Sequence, residues 1–345
     1  MGFLRWKMIF CECLLLIIKQ HKGVINMNNL RKIGLSALAG SLATFSVNAA
    51  DLSVSGGAAI TFSDANREFG DTGNGWTMGD SLNFSASGEM DNGIGVTLAH
   101  EIDGGVRDDY SITLTGDFGT LVFDGHGGSS AFGAVDDVTP NAYEEAWDVV
   151  DTNGATTGGT PLVINGGGAD NMFIYTSPNV GGATFKVAYV NHVSAAAESY
   201  MDFAIDINPE MVEGLRIGFA SADHTIASAS NRDQEETTYY ATYAMGGFTV
   251  GVQVSDLDDT TANSDQESIA YGVTYAVNDD LTIGYNYHEL ETESATDSDQ
   301  ESTAIGASFT SGSMTIGGSM NTADNMSGIA ATDREGYEFS VSFAF

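Results

Sequence analysis

Tyr337-Glu338-Phe339-Ser340-Val341-Ser342-Phe343-Ala344-Phe345 closes the sequence and decides how the rest is read. In an extended chain successive side chains point to opposite faces. Tyr337, Phe339, Val341, Phe343 and Phe345 therefore share one face, and Glu338, Ser340, Ser342 and Ala344 share the other. The same alternation recurs upstream. Leu281, Ile283, Tyr285 and Tyr287 stand against Thr282, Gly284, Asn286 and His288. Phe248, Val250, Val252 and Val254 stand against Thr249, Gly251 and Gln253, and Ile269, Tyr271, Val273 and Tyr275 against Ala270, Gly272 and Thr274. Period-2 patterning of this kind marks strands with two unlike faces.

The chemistry of the two faces separates the architectures. A soluble sandwich alternates too, but its open face carries Lys, Glu and Arg. Here the second face is mostly Gly, Ser, Thr, Ala and Asn, and the first is rich in Tyr and Phe. An apolar exterior, a polar interior and aromatics near strand ends are the signature of a transmembrane β-barrel. Composition agrees. The 345 residues include 42 glycines and 4 prolines, and only 17% of them are charged, against about 25% in an ordinary soluble domain. After residue 50 no run of about 18 apolar residues occurs, so spanning helices are excluded there.

Between strands, tight turns alternate with longer acidic loops. The tight turns are Asp91-Asn92-Gly93, Asp117-Phe118-Gly119, Met245-Gly246-Gly247, Asn278-Asp279-Asp280 and Ser311-Gly312-Ser313, with the residues hairpin turns require. The loops fall at 64–79, 193–199, 224–235, 256–265, 291–300 and 322–333. A repeat runs through them: Asp233-Gln234-Glu235, Asp265-Gln266-Glu267, Asp299-Gln300-Glu301 and Asp333-Arg334-Glu335 each open a strand, one hairpin apart. The fold expected is all-β, an antiparallel barrel of about sixteen strands centred near 57, 85, 97, 112, 122, 173, 187, 203, 218, 240, 251, 272, 285, 305, 316 and 340. The largest gap, roughly 125–170, follows the fifth strand and is long enough to imply a functional excursion.

Charge is unevenly distributed. The formal net charge is -35, from 47 acids and 12 bases. Residues 1–49 hold six of those bases and a single acid, Glu12, as well as both cysteines, Cys11 and Cys13. From Met27 the order is a basic pair (Arg31, Lys32), an apolar run (Ile33 to Val47) and small residues at Val47 and Ala49, which reads as a cleaved export signal. The expected division is a leader at 1–49, with 1–26 an upstream extension and 27–49 the signal peptide, and a single barrel domain at 50–345. From Ala50 onward there is no thiol, hence no disulfide or Cys nucleophile. Such an acidic chain is unsuited to nucleic acid.

The barrel pattern resembles the general porins of Gram-negative outer membranes. The resemblance covers the chain after the leader and is carried by Asp51-Leu52-Ser53-Val54-Ser55-Gly56, by Asp117-Phe118-Gly119-Thr120-Leu121-Val122-Phe123 ahead of the long third outer loop, and by the terminal Phe345. It implies sixteen strands, a homotrimer in outer-membrane lipid, and a third loop folded into the lumen. It also implies that the loop sets acids against bases on the facing wall. The loop acids here would be Asp136, Asp137, Glu144, Glu145, Asp148 and Asp151. Wall bases are few: by strand parity Lys186 and Arg216 face inward, while Arg107 and Arg334 share that parity but lie near loops. Outward small residues Gly56, Ala58 and Ala86 suit close packing between subunits.

Other chemistry fits poorly. Gly79-Asp80-Ser81-Leu82 matches an esterase block, but alternation through Leu82, Phe84 and Ala86 places a strand where that nucleophile needs a helix, and no Asp-x-x-His follows. His100, His126, His192, His224 and His288 are scattered, with no i, i+4 pair for zinc. Asp256, Asp258, Thr260 and Glu267 mimic a calcium loop, but Thr261 stands where its glycine belongs. No cofactor is expected beyond weak divalent-cation binding by the acidic outer loops. The expected activity is passive diffusion of small hydrophilic solutes and ions, cation-selective and not enzymatic. The alternatives are a structural or adhesive barrel with a blocked lumen, or a barrel hydrolase.

Overall fold

A computed structural model describes residues 51–63, 75–148, 162–167, 170–191, 199–226, 232–293 and 298–345. The expected leader (1–49), Asp151 and His192 lie outside these residues. The described chain forms sixteen strands: β1 (Asp51–Ser63), β2 (Trp76–Glu89), β3 (Gly95–Asp103), β4 (Val106–Gly116), β5 (Gly119–His126), β6 (Met172–Thr176), β7 (Ala183–Val190), β8 (Tyr200–Ile207), β9 (Leu215–Ile226), β10 (Arg232–Met245), β11 (Phe248–Asp259), β12 (Gln266–Ala276), β13 (Leu281–Thr292), β14 (Gln300–Ser311), β15 (Met314–Asp324) and β16 (Arg334–Ala344). Every strand centre read from the sequence falls within its strand. Each strand pairs antiparallel with its neighbours, and β1 pairs with β16, so the sheet closes with no free edge. Closure satisfies the backbone polar groups that lipid cannot.

The faces follow the alternation. Phe339, Phe343, Val250, Val252, Ile283 and Tyr271 are exposed on the outside, as a lipid-facing band requires. Outward aromatics touch across strands: Phe219 packs on Phe203 and Tyr239, with centroids at 5.7 and 4.8 Å. Ala86 shares its register with exposed Leu52 and Leu98, so it too faces outward. The Asp-Gln-Glu repeat acquires a structural meaning. Its glutamine is the inward residue at the start of a strand: Gln234 and Gln300 are buried, while the flanking Glu235 and Glu301 are exposed.

The strands run further than hydrophobicity suggests. The loops expected at 64–79, 224–235, 256–265, 291–300 and 322–333 are shortened because β2, β9, β10, β11, β13 and β15 continue into them. Asp258, for instance, pairs with Glu235. In most of these extensions the outward residues turn polar, as at Asp256 and Asp258 of β11, so the alternation fades while the hydrogen-bonded ladder persists; in β2, Trp76 and Met78 keep the outward face apolar. One connection on the loop side is instead very tight: Gly104 and Gly105, with φ of 54° and 82°, link β3 to β4, a two-residue hairpin that needs glycine.

The seam between the first and last strands is closed by reciprocal hydrogen bonds. Gly56 N–H donates to Phe345 O at 2.8 Å and Phe345 N–H to Gly56 O at 2.9 Å. A Cβ at Gly56 would lie 2.7 Å from Ser81 O and 2.9 Å from Leu82 Cδ2, whereas one at Gly79 would meet nothing within 4 Å. Overpacking of this kind costs about 1–3 kcal/mol. Gly56→Val is expected to lower the temperature at which the folded barrel loses its fast gel migration, and Gly79→Ala to leave it unchanged.

Candidate functional site

The described residues of the connection between β5 and β6 do not project outward. Residues 127–148 and 162–167 lie along the inner wall from β8 round to β16, held by side chains those strands point inward. The root is fixed by Asp202 on β8, 1% exposed. Its carboxylate accepts Ala131 N–H at 3.1 Å, Phe132 N–H at 2.7 Å, Ala188 N–H at 3.2 Å and Tyr200 O–H at 2.7 Å. A buried carboxylate is tolerated where donors surround it in this way.

Further along, Gln253 Oε1 accepts Val138 N–H at 3.0 Å while its amide donates to Val135 O at 2.8 Å. Asn286 donates to Glu144 O at 3.3 Å, and Asn321 to Glu145 O at 2.7 Å and Ala146 O at 3.1 Å. Tyr143 O–H donates to Glu338 at 2.6 Å. The returning stretch is held by Glu236, which accepts Gly166 N–H at 2.7 Å, and by Gln300, which accepts Leu162 N–H at 2.9 Å and donates to Leu162 O at 3.2 Å. Apolar burial supports the polar ties. Phe132, Val135 and Ile164 pack on Ala188, Ala204, Ala220 and Ala222 of the wall, so the main apolar core lies between loop and wall.

The wall is also shaped to receive the loop. Gly251 pairs directly with Gly272, and Gly284 with Gly306. A Cβ at Gly251 would lie 2.5 Å from Pro140 Cδ and one at Gly284 3.0 Å from Ala142 Cβ. At Gly272 and Gly317 a Cβ would overlap the Pro140 carbonyl and the Tyr143 ring. The glycines thus form a groove in which residues 140–143 lie.

Docking gathers the loop acids. The ligand oxygens of Glu144, Glu145 and Asp148 lie within 4.8 Å of one another, and Asn141 donates to Glu145 at 2.6 Å. Burial, followed by repulsion from Asp137, pushes the Asp136 carboxyl up to about 8. Burial and Glu145 push Glu144 up to about 7, and burial with the nearby Asp148 does the same to Glu145. Asp137 and Asp148 are raised for the same first cause, burial. The cluster therefore carries less than its full negative charge at neutral pH.

Of the four bases singled out in the sequence, Lys186 and Arg216 come together on β7 and β9, while Arg334 opens β16 and donates to Asp333 O at 2.9 Å. Arg216 Nε donates to Asp206 at 2.5 Å, and Tyr240 O–H donates to the same oxygen at 2.7 Å. Lys186 lies in the field of Asp202, Asp206 and Arg216. Arg107 is elsewhere: it is exposed at the rim, opposite Ile102, with its guanidinium 4.0 Å over the Tyr110 ring. Asp206 is a site residue that the sequence reading missed; its signal was the inward parity it shares with Asp202. Ser81 lies within β2, which runs on to Glu89, so no helix follows it.

The sequence pattern of the Gram-negative porin family matches residues 34–309. The chain belongs to the Gram-negative porin family. It is an outer-membrane channel protein, and the closed barrel with its inward third loop agrees with that membership. No curated protein matches it by sequence. Among solved structures it is similar to an anion-selective porin from Comamonas acidovorans (TM-score 0.61, 15% identity, 86% of this chain and 100% of that one). It is also similar to the trimer form of OmpT, an outer membrane protein of Vibrio cholerae (TM-score 0.62, 12% identity, 86% and 100%). A third porin structure gives a TM-score of 0.63 at 16% identity, again over 86% and 100%. At such identities these likenesses speak for the fold alone.

Two outcomes are expected. Asp202→Ala removes the carboxylate that accepts the Ala131 and Phe132 N–H groups of the loop root, at about 1–3 kcal/mol for each group left unsatisfied. Amide exchange at Ala131 and Phe132 should quicken at least tenfold, with Asp202→Asn intermediate. The second concerns pH. The loop acids bind protons more tightly when docked than in the unfolded chain, so their contribution to docking is complete below about pH 4. It is lost as pH rises through about 7 to 8. In a Trp6→Phe, Trp76→Phe background, Trp147 emission should shift to the red across that interval. An emission independent of pH there would show that the acids do not control docking.

Proposed function

We propose that this porin passes small hydrophilic solutes and ions by passive diffusion, with a preference for cations, and that it acts without catalysis. The observation that carries the sign is local. Arg216 is engaged by Asp206, and Lys186 stands beside the same carboxylate, so the wall bases are largely answered on the wall. The loop acids Asp136, Asp137, Glu144, Glu145 and Asp148 are left without a basic partner of comparable number. Beyond residue 50 the excess of acids supports the same sign, because acids at a narrow mouth concentrate cations. At about 0.15 M salt the Debye length is about 8 Å, so lining charges still act on a passing ion.

The structurally similar Comamonas acidovorans porin is described as anion-selective; the cation preference proposed here rests on this chain's own lining. We further propose export by the signal at 27–49 and a homotrimer meeting through the outward small residues around Gly56, Ala58 and Ala86. The V. cholerae relative is described in a trimer form, and native mass measurement in mild detergent tests this assembly.

The selectivity test is the reversal potential across a planar bilayer under a KCl gradient. Potassium preference is expected, weakening as salt rises. Asp206→Asn should reduce it by releasing Arg216, whereas neutralising Asp136, Asp137, Glu144 and Glu145 together should reduce it further. A chloride preference at low salt would overturn the reading, and absence of conductance would favour a blocked, structural barrel.

A further inference from the structure

A second group of charged side chains, which the selectivity argument does not use, sits where β5 passes into the long connection. His126 ends β5. Its Nδ1 lies 3.5 Å from Asp108 Oδ1 and 3.5 Å from Asp109 Oδ1, and its Nε2 lies 4.0 Å from Asp170 Oδ1. Adjacent residues of a regular strand point to opposite faces. Asp108 and Asp109 both reach one imidazole because the ladder is irregular on either side of them. The register shifts between His100 and Ile102 against β3 and between Tyr110 and Ser111 against β5, and such bulges re-aim side chains. The corner is held in place. Asp124 Oδ1 accepts His126 N–H at 3.1 Å, and the Tyr110 ring lies nearly parallel to the imidazole, 9° off at 6.5 Å. A Cβ at Gly127 would overlap the Asp109 carboxylate, so that carboxylate occupies room only a glycine leaves.

His126 Nδ1 is closed to solvent, yet it forms no hydrogen bond to either flanking carboxylate. Its two 3.5 Å separations are long for hydrogen bonds, which centre near 2.9 Å. They suit a shared ion. A tetrahedral ion bound at about 2.0–2.1 Å spaces its ligands about 3.4 Å apart, and all three ligand atoms lie within 4.8 Å of one another. One imidazole with two carboxylates favours a first-row transition ion over Ca²⁺, which takes about six to eight oxygens. Asp170, across the ring, stands on the side from which a carboxylate ordinarily orients a ligating imidazole. We propose that Asp108, Asp109 and His126 form a binding site for a divalent transition ion, Zn²⁺ fitting it best, with a coordination position left for water. The adjoining cavity of about 180 Å³, lined by Asn83, Glu101, Asp109, Asp124 and His126 among others, gives a hydrated ion access.

The competing account is an ion pair, a protonated imidazole held by Asp108, Asp109 and Asp170. Calorimetric titration of ZnCl₂ into the folded full chain in detergent, in excess CaCl₂ and at a pH where imidazole is neutral, separates the two. One Zn²⁺ per chain is expected, with affinity falling at least tenfold in His126→Gln and in Asp109→Asn and unchanged in Glu267→Gln. Heat-modifiable migration establishes that each variant is folded. Zn²⁺ binding that is unaltered in His126→Gln, displaced by Ca²⁺ as diffuse acidic binding would be, or not saturable would overturn the proposal. The measurement needs no conductance, so it stands or falls apart from the channel reading.

Discussion

Asp202 is the constraint on which the interior depends. A carboxylate at 1% exposure is costly unless donors surround it. Two of its four donors come from the long connection and two from the wall. Satisfying that charge therefore requires the loop root to lie against β8. Once it does, the remaining ties along β10 to β16 fall within reach, and Phe132 and Val135 find an apolar bed of wall alanines. An interior that would otherwise be an open cylinder of small polar side chains becomes a packed surface on one side.

The barrel was legible because it rests on one signal, alternation, repeated through the chain and closed by Tyr337 to Phe345. The strands' extension beyond the membrane band was not, because where acidic residues such as Asp256 and Asp258 take the outward positions the hydrophobic period is lost. The interior was legible in part. The family resemblance placed its loop acids, and strand parity placed Lys186 and Arg216, but parity gives a face, not a neighbour. That Asp206 engages Arg216, or that bulges turn Asp108 and Asp109 toward one imidazole, depends on register across strands. The inward glycines Gly251, Gly272 and Gly284 were visible as a polar face with small residues. Their role as a groove emerges only when direct pairing sets them side by side.

Charge in this molecule is governed by pairing more than by total. Burial and mutual repulsion hold Asp136, Glu144 and Glu145 toward their neutral forms near pH 7, so the charge of this cluster responds to pH in the neutral range. The wall bases are in turn answered by a carboxylate two strands or fewer away.

The glycine groove also bears on the order of assembly. Residues 140–143 lie across β11, β12, β13 and β15, strands synthesised long after the loop itself. The mould into which this segment fits does not exist until the C-terminal strands are in register. The narrow part of the lumen is thus among the last features to form, and a chain whose final strands fail to pair leaves its loop without a seat. A seated loop is, in effect, the molecule's own record that the wall behind it is complete.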